Sequence, residues 1–209
     1  DLGKSKAKPK FREILSKSRA INVLSAARMF LFGARDIWFV VALPVYLHTV
    51  FGWDFWKVGG FMAAWVIGYG FVQTIAPRIT GNMEGKQPAV LWAMALALIP
   101  AAIAIGLMVG WTPQVVIIGG LFLFGVLFAI NSSLHSYLIV SYARGDGVSL
   151  DVGFYYMSNA AGRLLGTILS GWVYQAYGLE ACLWISAGLV AVAALLSVRL
   201  PDRRAVSTA

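Results

Sequence analysis

Apolar positions along this chain fall into long blocks separated by short polar breaks. The blocks predict six helices, at about 22–47, 55–77, 88–109, 113–142, 150–177 and 179–200. Each is near the roughly 20 residues that an α-helix needs to cross a hydrocarbon core. Lipid offers no partner to a polar group, so the polar residues inside these blocks are the informative ones. The first block carries the most: Ala27 to Leu47 reads ARMFLFGARDIWFVVALPVYL and contains Arg28, Arg35 and Asp36, with Pro44 as an expected kink near its far end.

A charge at membrane depth costs about 2.5 to 3.5 kcal/mol on insertion scales, and arginine cannot escape by losing its proton. Arg28 and Arg35 lie seven residues apart, two helical turns, so both project from one face. Their fixed fork of donors suits carboxylate, phosphate or arsenate oxygens. Two readings stay open at each. Arg28 either lines a polar cavity or snorkels to the headgroups; Arg35 either lines that cavity or is neutralised by Asp36 or a neighbouring helix.

The fifth block holds two stripes. Ser158, Gly162, Gly166 and Ser170 form a small face that permits close helix packing, and Tyr156, Asn159, Arg163 and Thr167 form a polar one. Arg163 either joins Arg35 around an anion or pairs with Asp151, Asp36 or helix-end carbonyls and locks the bundle. In the fourth block Asn131 and His135, and Ser132 and Ser136, recur at four-residue spacing. Asn131, His135, Tyr155, Tyr156 and Asn159 are expected to supply hydrogen bonds to the anion. Asp36 and Asp151 are the carboxylates available for proton coupling, and His135 is either a proton relay or a hydrogen-bonded structural residue. The second block carries a small stripe of its own, Gly60, Ala64 and Gly68. The third is Ala- and Leu-rich without charge and reads as a lipid-facing support.

Composition fixes the class. Of 209 residues, 59% are hydrophobic and 12% charged, and the mean hydropathy is +0.75, values of a polytopic membrane protein. The net charge of +8 crowds into the ends and loops instead of spreading over a soluble face, which argues against a nucleic-acid partner. Thirteen Lys and Arg fall on the side of the two termini and one, Lys57, on the other, so the positive-inside rule puts both termini in the cytoplasm of a plasma-membrane protein. Residues 1–20 read as a basic cytoplasmic linker with a short amphipathic helix from Phe11 to Leu15, residues 21–200 as the helical bundle and 201–209 as a cytoplasmic tail. The chain starts at Asp1 and reads as a piece of something longer. The lone Cys182 reads as a small buried hydrophobe.

The sequence shows no glycine-rich phosphate loop, no paired carboxylates and no metal-ligand spacing, and the serines beside His135 share its helix with no carboxylate to orient the ring. The reading is not an enzyme and needs no cofactor.

Six helices after a basic linker, the first charged, the second and fifth glycine-rich and the third and sixth plain, resemble the C-terminal half of a major facilitator superfamily transporter. The segment GRLLGTILSGWVYQ is similar to glycine-rich motifs in the penultimate helix of that superfamily. More narrowly, GARDIWFVVALPVYL, the FGW and VGGF segments, WVIGYGFVQ and NSSLHSYLIVSYA resemble the ArsJ family of organoarsenical efflux permeases. The resemblance implies an all-α membrane protein of six spans forming one half of that fold, with an N-terminal six-helix half as partner and no transport by this half alone. It implies efflux of 1-arseno-3-phosphoglycerate, formed when arsenate replaces phosphate at glyceraldehyde-3-phosphate dehydrogenase, and so a functional link to that enzyme. It carries no motif that fixes binding residues; the site set above rests on charge and depth. The alternatives are a transporter of the same fold for a sugar phosphate, carboxylate or drug, and a membrane receptor or scaffold that binds an anion without moving it.

Overall fold

A computed structural model describes residue 16 and residues 18–80, 86–143 and 148–201. The described residues are all helical or in short connections: α1 (Arg19–Phe39), α2 (Ala42–Thr49), α3 (Phe55–Thr80), α4 (Lys86–Met108), α5 (Pro113–Tyr142) and α6 (Val148–Ser197). Five helical stretches are long and apolar enough to cross a membrane, α1 and α2 counting together. The expected helix at 11–15, most of the linker and all of the tail beyond Pro201 lie outside the described residues.

Two interruptions shape the bundle. The first expected helix is broken at Val40–Val41 rather than kinked at Pro44. Pro44 has no N–H for the carbonyl of Val40, and its ring crowds that carbonyl, so the break falls four residues upstream and Pro44 sits in the tolerant first turn of α2. The freed N–H of Ala42 donates to Ser170 Oγ at 3.1 Å, which keeps a backbone donor from being stranded in an apolar core. The second interruption is Gly178, at φ 82° and ψ −175°, inside α6. Only glycine takes that conformation without strain, and it folds α6 back on itself. The hairpin is visible in its contacts with α1: Gly162 and Gly166 on the 148–177 arm lie against Met29 and Gly33, while Ser186 on the 179–197 arm donates to the carbonyl of Ala34 at 2.6 Å.

Backbones touch where the 148–177 arm meets α1. A Cβ at Gly162 would run into the carbonyl of Met29, and one at Gly166 would sit 2.6 Å from the carbonyl of Gly33. The close packing expected of the small stripe in the fifth block is spent on α1. The support role moves. The charge-free third block is α4, packed on both α5 and α6, with Leu96, Ala93 and Ala104 buried. Its many alanines let neighbouring backbones come close, and hydropathy alone cannot distinguish a lipid neighbour from a helix neighbour. The peripheral helix is α3, which packs mainly on α5 through Trp65, whose indole N–H donates to the carbonyl of Leu121 at 3.0 Å.

A candidate anion-binding site

The arginine face of α1 is built around Phe32. Phe32 follows Arg28 by one turn and precedes Arg35 by one, and both guanidiniums lie on its ring, with Cζ 4.1 Å and 5.0 Å from the centroid. The seven-residue spacing thus delivers the shared face expected of it, with an aromatic ring between the two cations.

Arg28 turns into the bundle. It is 5% exposed, so it does not reach out toward headgroups, and its Nη1 donates to the carbonyl of Ser132 on α5 at 3.0 Å. Its other neighbours are the faces of Phe32 and, at 5.0 Å, Tyr155. No carboxylate pairs with it among the described residues, and its Nε has no partner there. His135, one turn after Ser132, is fully buried with both ring nitrogens unpartnered, and Ser25 Oγ is buried without a partner as well. A buried cation beside unpartnered polar atoms is a costly arrangement.

Arg35 and Arg163 converge on Asp36. Arg35 Nε donates to Asp36 Oδ1 at 2.6 Å, and Arg163 Nε, from the 148–177 arm, donates to Oδ2 at 3.1 Å. The carboxylate is 1% exposed, Arg35 13% and Arg163 54%. This is the pairing that sequence reasoning held as the alternative to a cavity, and the structure realises it for both arginines with one carboxylate. Of the four acidic residues among the described ones, Asp54 opens α3, Glu180 follows Gly178 and Asp151 opens α6. Arg35 and Arg163 therefore share one carboxylate while Arg28 pairs with none among the described residues, and the local charge does not cancel.

The remaining expected residues divide. Tyr155 is buried beside Arg28, Tyr156 meets it edge-on but is 55% exposed, and Asn159 is half-buried on the α1 side with Oδ1 unpartnered. Asn131 does not join them: its amide donates to the carbonyls of Trp92 on α4 and Leu127, both at 2.9 Å. It ties two helices together. Asp151 accepts from Ser16 Oγ at 2.6 Å at the start of α6, about 18 Å along the helix from Arg163, and belongs to a linker contact.

Sequence reasoning missed Phe32, Phe128, Ser25 and Gln73. The Phe128 ring on α5 also lies under the Arg35 guanidinium, at 5.3 Å, and Gln73 Nε2 approaches Ser132 Oγ at 3.4 Å from α3. Phe32 was legible, since it sits on the stripe that Arg28 and Arg35 define. The others come from helices whose rotation only the packing sets. The arrangement offers charge and hydrogen-bond donors for an oxyanion, and no group of three or more His, Cys, Asp or Glu among the described residues could hold a metal ion. No family model matches this chain, and neither does any curated protein.

Proposed function

We propose that this chain is the C-terminal half of a secondary transporter that exports a small organic anion, with 1-arseno-3-phosphoglycerate as the cargo that its resemblance to the organoarsenical permeases implies. In this reading six crossings are made by α1 with α2, by α3, α4 and α5, and by the two arms of α6. The half works with an N-terminal six-helix partner, both termini are cytoplasmic, and the anion binds near mid-membrane between the halves, which rock around it.

One observation carries the reading: Arg35 and Arg163 share the single carboxylate of Asp36, and Arg28 is buried with no carboxylate partner among the described residues. A bundle locked by ion pairs needs one carboxylate for each cation, because an unpaired charge out of water is expensive. Excess positive charge in such a place is offset by an anion that comes and goes. Arg28 adds cation–π support from Phe32 and Tyr155, which holds the guanidinium in position without neutralising it.

The test is arsenic retained by arsenate-challenged cells expressing the complete native protein, with and without co-expressed glyceraldehyde-3-phosphate dehydrogenase, and with Arg35→Ala alongside. Retention that falls only with the dehydrogenase, and not in the variant, supports both cargo and site. Unchanged retention throughout removes the organoarsenical cargo.

A further inference from the structure

Asp36 divides its two oxygens between two arginines that are not equivalent. Arg35 belongs to the same helix, makes the shorter bond at 2.6 Å, is 13% exposed and rests against the rings of Phe32 and Phe128. Arg163 comes from the other helix, makes one longer bond at 3.1 Å, and more than half of its side chain is open. Its terminal nitrogens have no acceptor among the described residues. The backbones beneath this contact leave little freedom, because a Cβ at Gly166 would lie 3.1 Å from Asp36 Cβ and 2.6 Å from the carbonyl of Gly33. The carboxylate is fixed and buried. The party free to move is the Arg163 side chain.

We infer that Asp36 is a tethered counter-anion. Without ligand it holds the Arg163 guanidinium; an oxyanion arriving from the exposed side takes Arg163 away, and Asp36 keeps Arg35. Before the exchange two arginines share one carboxylate and the trio carries a net positive charge; afterwards Asp36 is matched by Arg35 and the arriving oxyanion by Arg163. The inference rests on reading the arginines as an anion site, and it adds that binding there is weakened by a competitor built into α1. A bracing carboxylate that merely aims both arginines would act with the opposite sign, because its loss would weaken binding.

The experiment is calorimetric titration of 3-phosphoglycerate into the complete native protein in detergent. Asp36→Asn should bind about fivefold tighter than wild type, equivalent to about 1 kcal/mol, the upper value for a pair this exposed. Asp36→Asn leaves Arg35 buried without its carboxylate and risks misfolding, so a second comparison removes the pair together: Arg35→Gln/Asp36→Asn should bind tighter than Arg35→Gln alone. Tighter binding in either comparison, lost again on adding Arg163→Gln, supports the exchange. Unchanged or weaker binding in both overturns it while leaving the anion site standing. No binding by wild type or by Asp36→Asn removes the anion site itself, and the exchange with it.

Discussion

Two helices of this bundle carry the same four-residue rhythm of small side chains and use it differently. On the 148–177 arm of α6, Gly162 and Gly166 are buried against α1 so closely that neither has room for a methyl group. On α3, Gly60, Ala64 and Gly68 are exposed, and a Cβ at Gly60 or Gly68 would meet nothing within 4 Å. A small stripe permits close approach without compelling it. The arm also brings groups that reach across, Arg163 to Asp36 and Ser170 to the freed N–H of Ala42. The stripe on α3 has no such polar partner.

The contrast predicts a graded set of effects. Gly162→Val should be the most damaging, costing about 3 kcal/mol or more, since its side chain meets backbone rather than a movable side chain. Thermal unfolding of the detergent-purified protein would read this as a collapse of the transition, and near-wild-type unfolding would mean that α1 and the arm are not in register as described. Arg163→Ala comes next: losing a charge-assisted hydrogen bond to an anion costs about 1.5 to 3 kcal/mol, at least tenfold in counterflow rate, with the unfolding temperature nearly unmoved because the side chain is half open. A variant that instead unfolds would recast Arg163 as a lock.

Ser186→Ala removes the hydroxyl that meets the carbonyl of Ala34 and should lower stability by about 1 kcal/mol, visible as a modest shift in the same unfolding measurement. Smallest of all, Gly68→Ala should stay within about 0.5 kcal/mol of wild type. A larger loss there would sharpen the comparison, because it would reveal a further helix packed on the open stripe of α3.

The helices themselves were legible because long apolar blocks in a chain of this hydropathy form helices, five of which are long and apolar enough to cross a membrane. The pairing of Arg28 with Arg35 on one face followed from spacing alone, and so did the small stripe of the arm. Its partner did not: that Gly162 meets Met29 depends on how α6 folds back at Gly178, a turn whose direction no periodicity encodes. The partners of Asp36 were both named beforehand as alternatives, Arg35 beside it in sequence and Arg163 from 127 residues away, but spacing could not choose between that pairing and a cavity. Asn131 shows a general ambiguity. A polar residue inside a span looks the same whether it faces a ligand or, as here, the backbone of the next helix.

Burial was the least legible property. A core helix such as α4 and an outer helix such as α3 are both apolar all round, so the sequence assigns neither a face. The four-spaced stripe of Gly60, Ala64 and Gly68 was the available hint, and it pointed to α3 while the packing selected α4.

The most direct test of the account is counterflow of labelled 3-phosphoglycerate in vesicles reconstituted with the complete native protein. Transient accumulation of label that disappears in both Arg35→Ala and Arg163→Ala is the predicted result. Saturable binding with no exchange across the membrane would contradict it, and would leave an anion receptor in place of a transporter.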